Sequence, residues 1–310
     1  MAIPLKKTMR NRNWTAFEVT VLKEIKAESI AIPFAGSAKT DWALKTLGKK
    51  IVDNDICKWA WWVARARVEN NSEQLSQSDV DILLAKRSAS FFIEDLERWF
   101  HPEDVETLST IRANLCELGS SMLKALAIYA TVLVGDYALC FDKQTWNLKR
   151  PLSEVFREML FVVNRIVDNR KFNFSFNLEA VDFLIRTRAD LLYMKLPLPG
   201  SMSYFFNSKK YWREVWLGNN SSIIEEAIKN SPSANILSKE RYMESLTNLL
   251  EHAKHFPTWA IGFQEGSPLS FEEVKTIVLH YKRLRRAYLK DFSECLAGKA
   301  CIIVAGEERP

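Results

Sequence analysis

Near its amino end the chain carries a short apolar run, a glycine turn, a helical segment and a second apolar run, all within about 30 residues. The first run covers residues 29–34 and stops at 35–37, and helical spacing begins at Trp42. The second run, residues 51–52, leads into Asp53-Asn54-Asp55. A unit of this size predicts two parallel strands joined by a right-handed crossover. The chain is therefore expected to have an α/β fold.

The middle of the chain has a helical pattern. From residue 71 to residue 167, apolar side chains recur at three- and four-residue steps, and helices are expected to begin near Pro102 and Pro151. Phenylalanines then alternate with polar residues over 172–177, which indicates that a strand follows. We therefore predict one α/β domain in two parts, residues 1–70 and 168–310, with a mostly helical insertion at 71–167.

Three later segments complete the predicted sheet. Residues 190–194, 258–263 and 301–305 are compact apolar runs, and a helix is predicted from Ser270 to about Tyr288. The first of these runs ends in a loop with two prolines and a glycine, residues 195–200. Because α/β sheets bind ligands beyond the carboxyl ends of their strands, this loop is a candidate part of a site.

Composition limits the class of protein. Of 310 residues, 47% are hydrophobic, which excludes a wholly disordered chain. The five cysteines include no C-x-x-C pair, so neither a disulfide framework nor a metal site is expected. The longest apolar stretch, residues 125–134, is much shorter than the roughly 20 residues of a membrane span, and residues 1–12 lack the apolar core of a secretory signal. A cytoplasmic protein without a membrane partner is expected.

Three segments in fixed order resemble the Dam-like adenine-specific DNA methyltransferases. Residues 33–37 (P-F-A-G-S) are similar to the family's E-P-F-x-G-S-G loop, and residues 54–56 (N-D-I) to its N-D-I/L-N turn. Residues 190–200 (D-L-L-Y-M-K-L-P-L-P-G) are similar to D-L-L-Y-x-D-P-P-Y-x-G. The resemblance covers roughly residues 29–305. It implies a Rossmann-like methyltransferase sheet with helices on both faces, S-adenosylmethionine as cofactor, and a target-recognition role for the insertion.

The resemblance also implies which residues would bind the cofactor. They are Asp55, with Asp53 as the alternate, for the ribose diol, and Pro33, Phe34, Gly36 and Ser37 in the loop. A glycine permits close backbone approach to a ligand. Ala38 replaces the second family glycine, Ile32 replaces the leading glutamate, and the family's amino-terminal glycine and lysine segment is not recognisable at 9–14. Weakened cofactor binding is expected, and the simpler interpretation is that these residues only form turns.

The third segment differs from the family pattern at the positions that carry the chemistry. In the family, an aspartate side chain and a prolyl carbonyl accept hydrogen bonds from the adenine amine, and an aromatic ring stacks on the base. Of the four positions D-P-P-Y, Lys195 replaces the aspartate, Leu196 the first proline and Leu198 the tyrosine, and only Pro197 is kept. A lysine ammonium has no acceptor and a leucine has no π face. A pseudo-methyltransferase is expected, unless Lys195 is neutral or another carboxylate reaches the same place.

Two basic segments are candidates for nucleic-acid binding. One follows the loop directly and interleaves aromatic and basic residues, which suits phosphate contact and base stacking; the other lies near residue 284. An interface with another protein, core packing and a solvated helix face are the alternatives. The candidate residues are Lys209, Lys210, Tyr211 and Arg213 in the first segment, and Lys282, Arg283, Arg285 and Arg286 in the second.

Together these features predict a degenerate methyltransferase fold that is kept as a DNA-binding or assembly subunit. A DNA restriction-modification or phage-defence system is the expected setting, with an active methyltransferase or another protein as possible partner. Two alternatives stay open from the sequence: an active adenine methyltransferase with an atypical loop, and a purely structural interaction protein.

Overall fold

A computed structural model describes residues 14–86, 92–142, 144–219, 221–229, 231–233, 238–293 and 298–306. Its centre is a seven-stranded sheet with strand order β3-β2-β1-β4-β5-β7-β6. Strands β1 to β5 are parallel, and β7 runs antiparallel to both of its neighbours. The strands are β1 (Ser29–Ile32), β2 (Lys50–Asn54), β3 (Phe174–Phe176), β4 (Leu191–Lys195), β5 (Thr258–Gln264), β6 (Leu284–Asp291) and β7 (Lys299–Gly306).

Helices connect the strands, and several short helical turns lie between them. Three carry side chains of the site described below: α1 (Thr15–Lys23), α2 (Lys39–Thr46) and α9 (Ser201–Phe206). The other α-helices in the described residues are α3 (Lys58–Ala64), α4 (Gln77–Leu84), α5 (Pro102–Asn114), α6 (Ser121–Ala138), α7 (Leu152–Val163), α8 (Ala180–Arg186), α10 (Trp212–Trp216), α11 (Ser221–Ile228), α12 (Lys239–His252) and α13 (Phe271–Leu279). Within these ranges, no helix combines the length and apolarity that a bilayer crossing requires.

Both faces of the sheet are covered. On one face, Leu192 and Met194 of β4 pack with residues of α8, α12 and α13. On the other, Ile30 of β1 and Tyr193 of β4 pack with residues of α1 and α2. A parallel strand that is buried on both sides has to be apolar at nearly every position, which explains the continuous runs seen in the sequence. The predicted Rossmann-like sheet with helices on both faces is confirmed.

The helices between β2 and β3 have a core of their own. Side chains from α4, α5, α6 and α7 form one buried cluster. The cluster also contains Trp212 and Trp216 from α10, which follows the loop after β4 in the sequence. Gly135 is needed at this packing contact, because a Cβ there would lie 2.2 Å from the Trp212 ring. The limits 71–167 and the target-recognition role of the insertion stay a prediction.

One predicted element is wrong. The helix that starts after Ser270 ends at Leu279 rather than near Tyr288, and residues 284–291 form strand β6. Strand β6 is at the edge of the sheet, and most of its side chains are exposed on both faces. An edge strand of this kind shows no alternation of apolar and polar residues, so its charged sequence looked like a helix surface.

Candidate functional site

Two cavities lie where β1, β2 and β4 end. The first, of about 300 Å³, is lined by residues of α2 together with Thr15, Tyr193 and Lys210. The second, of about 220 Å³, is lined by residues 54–56, residues 178–180 and the loop after β4. Phe34, Gly36 and Lys195 line both. The predicted cofactor loop and the predicted catalytic loop are therefore side by side, as expected for carboxyl ends of neighbouring parallel strands.

The glycine loop is held by the carboxylate of Asp55. The Gly36 N–H donates to Asp55 Oδ2 at 2.8 Å, and the Cys57 N–H donates to Oδ1 at 2.9 Å. Gly36 has a φ of +55°, which favours glycine, and an added Cβ would find no atom within 4 Å. Ala38 has a φ of +50°, so the position of the second family glycine keeps the glycine-like backbone without the glycine.

The two aspartates predicted as ribose ligands differ in their surroundings. Asp55 is half-buried and lines the second cavity, and burial raises the pKa of its carboxyl against the opposing effect of its two backbone donors. Asp53 is completely buried and lines neither of the two cavities. Within the described residues, neither carboxylate oxygen of Asp53 has a hydrogen-bond partner. The pKa of Asp53 is raised well above its usual value, mainly by burial and secondly by the Asp41 carboxylate. Asp55 is therefore the better candidate.

The sequence did not suggest a role for Asp41, at the start of α2. This residue is 2% exposed and lines the first cavity. The pKa of Asp41 is raised to about 7, mainly by burial and to a smaller extent by the Glu18 and Asp55 carboxylates, while its backbone hydrogen bond and Arg67 oppose the shift. No spacing in the sequence links Asp41 to Glu18 or Asp55, so only the fold brings these carboxyl groups together.

Lys195 is the centre of the site and it is paired. Its ammonium lies 2.7 Å from Glu18 Oε1 and 4.7 Å from the centroid of the Trp14 ring. Glu18 belongs to α1, is completely buried, and accepts a second hydrogen bond at Oε2 from Thr40 Oγ1 at 2.7 Å. An acidic residue does reach the position of Lys195, but both of its oxygens are engaged and shielded from solvent. The pairing also stabilises the charged form of the lysine.

The remaining loop residues are fixed by backbone hydrogen bonds. The Leu196 N–H donates to the Gly262 carbonyl at 2.7 Å, and the Leu196 side chain is 2% exposed. The Pro197 carbonyl accepts a hydrogen bond from the Tyr242 hydroxyl at 2.7 Å. Leu198 is half-buried, and its carbonyl accepts from Ser201 N at the start of α9. Pro197, the one residue of this loop that matches the family's D-P-P-Y pattern, therefore already accepts a hydrogen bond from within the chain.

The first basic segment lies beside the site. Lys209 and Lys210 are exposed, and Lys210 lines the first cavity. Tyr211 is half-buried, with its ring 5.4 Å from that of Phe206. Arg213, by contrast, is 4% exposed, is ion-paired with Asp136, and has its guanidinium 4.3 Å from the Trp59 ring centroid. The structure therefore removes Arg213 from the surface on which it was predicted to contact nucleic acid.

The second basic segment lies at the other end of the sheet. Leu284 pairs with Ala305, which pairs with Trp259 at the beginning of β5. At about 3.3 Å per residue, this places the segment roughly 20 Å from the carboxyl edge. The side chains of Arg283, Arg285 and Arg286 are exposed there, whereas Lys282 is 8% exposed and donates to the Lys254 carbonyl at 3.1 Å. The second segment was predicted on a helix that runs to about Tyr288, and that placement is wrong, because the segment lies on the turn after α13 and on β6.

Among the residues that the structure describes, no group of three or more histidine, cysteine, aspartate or glutamate side chains is placed to hold a metal ion. Cys295, one of the five cysteines, lies outside the described residues.

Comparison with known proteins adds an independent finding. The chain is 22% identical over 280 residues to the Type II methyltransferase M2.HphI of Haemophilus parahaemolyticus, covering 82% of this chain and 81% of that protein. This similarity to a DNA methyltransferase extends over most of both chains. No family model matches the chain. The resemblance to DNA methyltransferases that the three segments predicted is confirmed.

Methyltransferases of this fold use S-adenosylmethionine, and the residues here fit only part of that molecule. The Gly36 loop is open to a ligand, and the half-buried Asp55 lines the second cavity beside it. Lys195, between the two cavities, is a cation where the cofactor would bring its own positive sulfonium. The adenosine end therefore fits the chain's residues and the charged sulfur does not.

Proposed function

We propose that this protein is a degenerate adenine-specific DNA methyltransferase that binds DNA without useful methyl transfer. One observation supports this most strongly: the side chain at the catalytic position, Lys195, is an ammonium engaged with the buried Glu18 carboxylate. A target amine placed at this loop would meet a donor, where the reaction needs an acceptor.

The size of the defect follows from the number of missing contacts. An unsatisfied buried polar group costs about 1–3 kcal/mol, and every 1.4 kcal/mol is about tenfold in rate. The aspartate acceptor is absent at Lys195, the stacking ring is absent at Leu198, and the Pro197 carbonyl is already bonded to Tyr242. Three weakened contacts together lower turnover by several orders of magnitude.

The direct test is incorporation of tritiated methyl groups from S-adenosylmethionine into adenine-containing DNA. The protein is expected to give no more incorporation than a heat-inactivated sample, beside an active adenine methyltransferase as positive control. Robust transfer would overturn the proposal in favour of the alternative, an active enzyme with an atypical loop.

DNA binding is proposed to use the basic surface next to the site. Lys209 and Lys210 are exposed beside the first cavity, whereas Arg283 and Arg286 lie at the opposite end of the sheet. Each phosphate contact contributes a slope of about 0.9 to the dependence of log affinity on log salt. Reversal of both lysines to glutamate is expected to weaken DNA binding about tenfold or more and to reduce this slope by about 2.

The matched control reverses Arg283 and Arg286, which carry the same total charge. This variant is expected to bind DNA within about threefold of the wild type, because long-range charge effects alone are screened at physiological salt. Fluorescence anisotropy over a series of salt concentrations measures both variants. An equal or larger loss of DNA affinity in the arginine variant would contradict the proposal, because it would place the DNA-binding surface at the end of the sheet opposite the cavities.

An assembly role is a second candidate, since two large apolar side chains are unusually exposed. Phe161 is 73% exposed and Phe172 is 88% exposed. Single exposed apolar side chains are common on folded proteins and only a contiguous patch marks an interface, so these two positions are where an association assay should look. A restriction-modification or phage-defence complex with an active methyltransferase is the proposed setting. Sedimentation of the protein with candidate subunits tests this role, and Phe161→Ser with Phe172→Ser should reduce association.

A further inference from the structure

Lys195 stands at the junction of the two cavities. Lys195 lines both cavities, as do Phe34 and Gly36. The central part of a ligand that fills both cavities would therefore contact these three residues. The lysine side chain is 23% exposed, and its ammonium is held by the Glu18 carboxylate and by the face of Trp14. The positive charge is thus a fixed feature of the passage between the cavities.

The two cavities suit different chemical groups. The second combines the Asp55 carboxylate with the apolar side chains of Ile56 and Leu178, which suits a ribose and a flat base. The first is lined by three lysines, Lys39, Lys195 and Lys210, against one aspartate, Asp41, and this excess of positive charge suits a carboxylate. An adenosyl amino acid has these two ends, and a sulfur atom joins them.

The charge of that sulfur decides how well such a ligand is tolerated. In S-adenosylmethionine the sulfur is a sulfonium cation, whereas in S-adenosylhomocysteine it is a neutral thioether. A second positive charge beside the Lys195 ammonium is repelled, whereas a neutral sulfur at the same place is not. Glu18 reduces the repulsion, but Lys195 lines both cavities and Glu18 lines neither, so the lysine is the nearer of the two charged residues to a ligand.

We infer that this site binds an adenosyl thioether in preference to the methylated sulfonium, and that Lys195 sets this preference. The inference rests on the proposed function only in taking the two cavities as the former cofactor site. It goes further in assigning the site a ligand: the demethylated product of methyl transfer, rather than its donor. A neighbouring active methyltransferase supplies that product with every turnover.

Isothermal titration of the full chain with S-adenosylhomocysteine and with S-adenosylmethionine tests the inference. The wild type is expected to bind the thioether about tenfold or more tightly. Lys195→Arg keeps the charge and should keep the preference. Lys195→Met combined with Glu18→Gln removes both charges at similar volume and should bring the two affinities within about threefold. Lys26→Met removes an exposed lysine that lines neither of these cavities and should change nothing.

Each result has a separate meaning. Equal or tighter binding of S-adenosylmethionine by the wild type, no binding of either compound, or an unchanged preference in the double variant would overturn the inference. None of these outcomes bears on the proposed function, which is tested separately by methyl transfer to DNA and by DNA binding. A wild type that transfers methyl groups and still prefers the thioether would refute the proposed function alone.

Discussion

The two loops at the carboxyl edge of the sheet were changed in different ways relative to the family pattern. In the loop after β1, the important contacts are made by the backbone: Gly36 keeps its positive φ and donates to Asp55. In the loop after β4, the important contacts are made by side chains, and Lys195 has an ion pair where the family has an acceptor. The comparison teaches that the first loop keeps the backbone form that the family pattern implies, whereas the second loop differs from that pattern in its side chains.

The largest expected effect concerns the ion pair in the second loop. Lys195→Met leaves the completely buried Glu18 carboxylate without its cation, and removal of one partner of a buried pair costs about 3–5 kcal/mol. Glu18→Gln should cost less, because Lys195 is partly exposed. In the double variant, most of the loss should be recovered. Urea denaturation of the four proteins gives the coupling free energy, and strictly additive losses would show that the pair is unimportant.

A second test measures how the pH dependence of stability changes when the Asp41 carboxyl group is removed. The pKa of Asp41 is about 7 in the folded protein against 3.8 ordinarily, so the folded state keeps a proton that the unfolded state releases. Its stabilising contribution is present below about pH 4 and is lost as the pH rises through about 7. Asp41→Asn abolishes this loss.

The stability of Asp41→Asn relative to the wild type should therefore increase by about 2 kcal/mol between pH 5 and pH 8. Urea midpoints measured at both pH values check this, with Asp142→Asn as control because that aspartate is exposed on a turn. A difference that stays constant with pH would mean that Asp41 is ionised in the folded protein.

A third test removes the anchor of the first loop. Asp55→Ala leaves the Gly36 and Cys57 N–H groups without their acceptor, which is expected to cost about 2–3 kcal/mol. Asp55→Asn keeps one acceptor oxygen and should cost about half as much. Thermal unfolding measures both. If the two substitutions were equally harmless, the carboxylate would not be what holds this loop.

The smallest expected effect concerns the glycine itself. Gly36→Ala introduces no clash, since nothing lies within 4 Å of the added Cβ, but a φ of +55° costs an alanine about 1 kcal/mol. Gly119→Ala is the matched control, because that glycine also has open space and no left-handed φ. The control should be neutral or slightly stabilising. An equal effect of both substitutions would remove the conformational argument for Gly36.

The sequence predicts those parts of the structure whose pattern lies within one short segment of the chain. The strands at 29–32, 50–54 and 191–195 were predicted because buried parallel strands are continuous apolar runs. Strand β6 was missed because an exposed edge strand has no such pattern. The positions of Gly36, Asp55 and Lys195 in the site followed from short segments that could be compared with a family.

The partners of these residues could not be predicted in the same way. Glu18 precedes Lys195 by more than half of the chain, and nothing in the spacing of α1 indicates that its carboxylate meets the end of β4. The burial of Arg213 and Lys282 has the same origin, since each is covered by residues far away in the sequence. Such pairings arise only when the sheet brings distant segments together.

The most direct measurement of the central claim is a single-turnover reaction. Protein in excess over DNA is mixed with saturating tritiated S-adenosylmethionine, so that weak donor binding cannot hide a competent catalytic loop. The account predicts no methylated adenine above the heat-inactivated background, because Lys195 offers no acceptor to the target amine. Formation of methylated adenine in an amount close to that of the DNA would contradict it.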